Sequence, residues 1–187
     1  MTRSRLSPCA LPSLYALAAF AAATAVPAGA ALPESMLPTG SGFIDIASVP
    51  YTDSNSTEGG TDTVNFVPDF CASRMHVDGP ERIYRFVPQE GASVTFTVTP
   101  GNATYDVAIY LIDGLKGGKY CLLGADDHGP GEAESFAFSD RFIAGRTYYL
   151  YIDSFYGAAA DPASAQGPYV LELAGSLPVD VVHFAIE

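Results

Sequence analysis

The chain has 187 residues, with nine basic and 21 acidic side chains, a formal charge of −12 and no Trp. Acidity on this scale argues against nucleic acid and anionic membrane surfaces as partners, because both are gripped through basic patches. It suits a soluble exported protein, or one that binds cations.

The N-terminus has the layout of a secretory signal peptide. Arg3 and Arg5 precede an almost wholly apolar run, Leu11 to Val26, and Ala28-Gly29-Ala30 follows as an A-x-A cleavage pattern. The run is shorter than the roughly 20 residues of a membrane-spanning helix; the alternative is an uncleaved anchor helix. No later run is long enough to span a bilayer. Cleavage after Ala30 would leave 157 residues, enough for one domain. The leader holds two of the nine basic side chains and none of the acidic ones, so the remainder carries −14. The expected location is secreted or periplasmic.

Cys71 and Cys121 follow the leader. An even count in an exported chain points to a disulfide; two separate buried thiols are the alternative. No C-x-x-C motif is present to indicate a zinc site or thioredoxin-like chemistry.

Residues 31–79 read as an N-terminal lead-in of loops and one edge strand, and residues 80–187 as the β-sandwich core. Within the lead-in, Phe43 to Ala47 alternates and predicts a short edge strand. Tyr51 to Asp62 is polar and predicts a loop. Val64 to Met75, which includes Cys71, is irregular. After Gly79-Pro80 the pattern changes. Arg82 to Val87 is strand-like, and Ser93 to Thr99 alternates with Val94, Phe96 and Val98 on one face. Tyr105 to Ile112 places Val107, Ile109 and Leu111 on one face and Asp106, Ala108 and Tyr110 on the other. Lys119 to Leu123 and Glu134 to Phe138 predict two more strands around a Gly-rich acidic loop, Gly124 to Glu132. Ala144 to Ser154 is the strongest strand signal: Tyr148, Leu150 and Ile152 share one face, and Thr147, Tyr149, Tyr151 and Asp153 the other. Tyr156 to Pro168 reads as a small flexible connection. Tyr169 to Leu173 predicts a strand, and Val179 to Ile186 a last one. Short strands spaced by Gly, Pro and Asp turns predict an all-β, antiparallel β-sandwich, jelly-roll-like in form.

Asp106 to Leu111, the loop with Asp126-Asp127, Ala144 to Tyr149 and Gly167 to Leu171 occur in an order that resembles bacterial pre-peptidase C-terminal domains. The resemblance covers roughly Pro80 to Ala174. It implies a jelly-roll β-sandwich of exported bacterial type. Such domains usually follow a secreted protease or other hydrolase. They are linked to secretion, to attachment to substrate polymers and, in the collagen-binding branch, to calcium.

The residues carry little catalytic signal. His76, His128 and His183 form no zinc spacing, and G-x-S-x-G is absent. Asp126, Asp127, Glu132 and Glu134 are candidate calcium ligands, with Asp106 and Asp153 supplied from strand ends, because calcium takes several hard oxygens in a flexible loop. The competing account is that Asp126 and Asp127 cap a turn. Tyr110, Tyr149 and Tyr151 share parity with the two strand acids and are candidates for an aromatic binding patch; otherwise they line a sheet face beneath loops. The expected function is an exported, non-catalytic binding module that engages an extracellular or cell-envelope polymer or protein, with calcium as a candidate support. The alternatives are a structural or secretion-assisting domain without its own ligand, and a small secreted hydrolase.

Overall fold

In the computed structural model, residues 42–62, 64, 66–67, 71, 75–114, 121–139, 141–156 and 161–177 are described. The leader and the expected strand at Val179 to Ile186 lie outside them. The strands run in order as β1 (Phe43–Asp45), β2 (Tyr51–Ser56), β3 (Phe66–Val67), β4 (Met75–His76), β5 (Arg82–Phe86) and β6 (Ser93–Pro100). They continue with β7 (Val107–Asp113), β8 (Cys121–Ala125), β9 (Glu134–Ser139), β10 (Tyr148–Ser154) and, after the short helix α1 (Pro162–Ala165), β11 (Pro168–Ser176).

Two sheets make the expected sandwich. One has five strands in the order β1-β5-β10-β7-β8, and the other four in the order β2-β11-β6-β9. A separate ribbon pairs β3 with β4. The antiparallel expectation needs one correction, since β1 runs parallel to β5. The side chains of Asp45 and Arg85 stand opposite each other there and form a two-pronged ion pair at 2.6 and 2.8 Å. The Arg85 guanidinium also lies 3.9 Å from the Phe43 ring centre, which fixes this edge strand by its side chains.

The polar stretch Tyr51 to Ser56 is strand β2 rather than a loop, and it pairs with β11 along its length. Backbone hydrogen bonds to a neighbour do not need apolar side chains, and β2 sits at a sheet edge where one flank is free. Strands from the expected lead-in are thus members of both main sheets.

Strand alternation sets the main core. In β6, Val94, Phe96 and Val98 are buried, while the threonines between them face outward. They meet Phe86, Leu150 and Leu171 from other strands. Each such burial stabilises by roughly 1.5–3 kcal/mol. Glu134 takes an inward position in β9, on the same parity as Phe136 and Phe138. The central strands β7 and β10 are buried on both faces. Their second face belongs to another apolar layer, built from Val64, Cys71, Val77, Ile83, Tyr110 and Tyr151 with their neighbours. The Cys71–Cys121 disulfide, with 5.3 Å between Cα atoms, anchors this cover to β8.

That cover corrects the aromatic-patch expectation. Tyr110 and Tyr151 are stacked at 4.9 Å and are both 0% exposed. Tyr149 is half-buried and packs edge-on against Phe43. The parity was right, but Val64, Cys71 and Val77 pack over the face.

Candidate functional site

One end of the sandwich collects the start of β7, the β8–β9 loop, the start of β9 and the turn after β10. The sequence folds this end by short-range hydrogen bonds. Asn102 Oδ1 accepts from the backbone N–H groups of Thr104 and Tyr105, at 3.0 and 2.8 Å, and so closes the turn into β7. Gly131, at φ +81°, donates its N–H to the Tyr105 carbonyl at 2.9 Å. A Cβ on Gly131 would lie 2.8 Å from the Cα of Ala103, so only glycine lets the acidic loop seat against the β6–β7 turn.

Three of the expected calcium ligands, Asp106, Asp126 and Glu134, lie at this end of the sandwich. Glu134 is 1% exposed, and its Oε1 accepts from the His128 N–H at 2.6 Å. The His128 ring nitrogen Nδ1 lies 3.3 Å from the same oxygen. Asp106 is 6% exposed; its N–H donates to Ser164 and its carbonyl accepts from Phe155. Burial raises the pKa of Asp106, and the charge of Glu134 raises it further. Burial, followed by the charges of Asp106, Glu134 and Asp127, pushes Asp126 up to about 7. The three acids therefore lie within one another's fields in a poorly solvated place.

The other candidates are elsewhere or turned outward. Asp127 and Glu132 are exposed. Asp153 is fully buried on the far face of β10: Tyr110 Oη donates to its Oδ2 at 2.8 Å and the Ser154 N–H to its Oδ1 at 2.7 Å. Asp153 is therefore removed from the calcium candidates, because an in-strand position sends its carboxylate into the second apolar layer. Among the described residues, no group of three or more His, Cys, Asp or Glu side chains is placed to hold a metal ion.

Beside the acids stand two aromatic residues that sequence reasoning missed. Phe155 and Tyr156 are 38% and 36% exposed and meet edge to face at 5.1 Å. They are held in place rather than loosely attached. The buried Ser154 hydroxyl lies 3.0 Å from the Ser164 carbonyl and accepts from the Tyr156 N–H at 3.1 Å. Gly79 packs directly under this turn, where a Cβ would come within 2.5 Å of the Ala165 carbonyl oxygen. Asp161 caps α1 through Ala163 and Ser164 and fixes the other wall. The signal was the adjacent Phe-Tyr pair just past a strand end, where the stretch read as flexible begins with Tyr156.

No helix among the described residues is long and apolar enough to cross a membrane. No family model and no curated protein matches the sequence. In structure the chain is similar to the periplasmic inhibitor of g-type lysozyme from Aeromonas hydrophila, at 13% identity over 71% of this chain and 94% of that one, with a TM-score of 0.40. It is similar to the surface-associated copper-binding protein of Methylomicrobium album BG8, at 10% identity over 68% and 93%, with a TM-score of 0.40. It is also similar to the pre-peptidase C-terminal domain of the collagenase from Bacillus anthracis, at 14% identity over 73% of this chain and 97% of that one, with a TM-score of 0.42.

Proposed function

We propose that this protein is an exported binding module, secreted or periplasmic, that performs no reaction of its own. It engages an extracellular or cell-envelope protein or polymer through the end that carries Phe155 and Tyr156. The observation that supports this is the exposure of two adjacent aromatic rings whose backbone is tied down by hydrogen bonds, with Phe155 bonded to the Asp106 carbonyl. Rigid aromatic side chains offer contact area at little cost in conformational entropy, which is why they are enriched at binding surfaces. The Cys71–Cys121 disulfide and the leader pattern support an oxidising destination.

The test compares the wild-type protein with the Phe155→Ala/Tyr156→Ala double variant and with Ile143→Ala at the opposite end of β10. Retention is measured on immobilised cell-wall polymer, chitin, collagen and fractionated envelope proteins, and circular dichroism checks the fold. Retention on one matrix should fall at least tenfold in the double variant only. Equal retention of all three proteins would overturn the reading and favour a structural or secretion-assisting role.

A further inference from the structure

The start of β7 holds the aromatic turn on one side and the acidic loop on the other. The Phe155 N–H donates to the Asp106 carbonyl, and one residue earlier the Tyr105 carbonyl accepts from Gly131. Phe155 and Tyr156 therefore share this end with the exposed acids Asp127 and Glu132. Helix α1 is tied to the same place, because the Ser164 carbonyl accepts from the Asp106 N–H, and it brings its capping acid Asp161. Behind them the chain leaves carboxylate oxygens open. Glu134 is aimed into the acidic loop, where its Oε1 accepts from the His128 N–H. Its Oε2, and Oδ1 of Asp106, are buried and have no hydrogen-bond partner among the described residues. Such an oxygen loses its hydration and receives nothing in return.

The arginines among the described residues do not answer this charge. Arg85 pairs with Asp45 and Arg146 with Asp113, where β5 and β7 meet Tyr149 and Tyr148 at the other end of β10. Arg141 lies over the Phe138 ring. Arg82 is nearer but directs its donors to the carbonyls of Ser56 and Glu58. Resting on the reading of Phe155 and Tyr156 as the contact surface, we propose that the partner docked there is a basic protein, which lays an arginine or lysine over the rings and toward the carboxylates. A cationic side chain is drawn to a ring face and to a carboxylate alike, so one group uses both features. A neutral polymer would stack on the rings and leave the acids unanswered, and an anionic one would be repelled.

The test uses the full chain at pH 7.5. Retention is measured on immobilised chitin and on basic and acidic pools of envelope proteins separated by isoelectric focusing. Expected is retention on the basic pool that falls about tenfold between about 0.05 and 0.3 M NaCl, since exposed charges are screened over that range. Asp127→Asn/Glu132→Gln should lose about fivefold or more on that pool. Glu90→Gln/Glu172→Gln removes the same charge at exposed positions elsewhere and should be retained like the wild type. Equal losses in the two charge variants would mean attraction by net charge alone and would overturn the proposal. So would no retention, or retention confined to chitin or the acidic pool. If Phe155→Ala/Tyr156→Ala abolishes that misplaced retention, the contact surface stands and only the partner's chemistry falls. Unchanged retention of Phe155→Ala/Tyr156→Ala on the basic pool would defeat the contact surface itself, and this proposal with it.

Discussion

Tyr110 on β7 donates a hydrogen bond to Asp153 on β10 at 2.8 Å, within a layer closed to water. The pair comes from neighbouring strands of one sheet, and the Tyr110 ring stacks on Tyr151 next to it. Asp153 is raised well above the usual carboxylate range, first by burial and then by the charge of Glu81; the bonds from Ser154 and Tyr110 oppose the rise.

A pH dependence follows. The folded state keeps the Asp153 proton to a higher pH than the unfolded state, whose carboxylate titrates near about 4. Between those two values the folded state binds more protons, so stability contributed by this group is lost as pH rises through the window. Asp153→Asn retains an acceptor for Tyr110 and removes the charge. Melting from pH 4 to pH 8 in calcium-free buffer should show the variant gaining on the wild type as pH increases. A difference that stays constant with pH, or shrinks, would refute this account.

The hydroxyl of Tyr84 tests how the two sheets are joined. It donates to Asp53 at 2.7 Å and lies 2.8 Å from the hydroxyl of Tyr169, so a strand of one sheet bonds to two strands of the other. Tyr84→Phe leaves the Tyr169 hydroxyl without this partner and Asp53 Oδ2 with Asn55 alone, and should cost about 1–3 kcal/mol. Tyr169→Phe leaves the Tyr84–Asp53 bond in place and should cost less, about 1 kcal/mol. Urea unfolding would check the order, and equal costs would argue against a branched network.

The disulfide makes a separate prediction. Non-reducing peptide mapping should recover Cys71 and Cys121 in one linked fragment. With a sequence separation of 50, its loss by Cys71→Ala/Cys121→Ala should cost about 4 kcal/mol in the chain-entropy model. The cover over Tyr110 and Tyr151 should loosen first, detected as faster amide exchange in β7 and β10 than in β6. Uniformly faster exchange would contradict an anchoring role.

Gly131 and Gly145 separate backbone strain from crowding. Both have positive φ, +81° and +74°, but a Cβ at Gly145 meets nothing within 4 Å while one at Gly131 strikes Ala103. Gly145→Ala should cost about 1–2 kcal/mol, the left-handed penalty alone. Gly131→Ala should cost more, because the acidic loop cannot seat against the β6–β7 turn. Equal costs in denaturant melts would show that Ala103 yields.

The sequence made some features plain and concealed others for physical reasons. The alternation of Val94, Phe96 and Val98 with threonines revealed β6, since one face is buried and the other wet. Pattern could not identify β2, because its pairing with β11 is carried by backbone groups common to every residue. The parity of Tyr110 and Tyr151 was correct, yet nothing local showed that Val64, Cys71 and Val77, distant in sequence, cover them. In the candidate site, Asp106, Asp126 and Glu134 were legible as acids near turns. Glu134 also carried a sharper clue, its inward parity with Phe136 and Phe138. Asp153 was misplaced because its strand is buried on both faces.

The pairing of β2 with β11 also governs when the chain can fold. In the four-stranded sheet β11 lies between β2 and β6, so an early strand and the one after it in space meet only through a late one. A polypeptide emerging with its N-terminus first cannot close that sheet until Ser176 is free of the ribosome or the translocation channel. Until then Val98 and Phe96 lack Leu171 and Leu173, their cross-strand partners. Contacts this remote in sequence form slowly. Emergence of the chain and closure of this sheet are therefore separated in time. A product cut short before Pro168 would leave β2 and the facing edge of β6 without their shared partner.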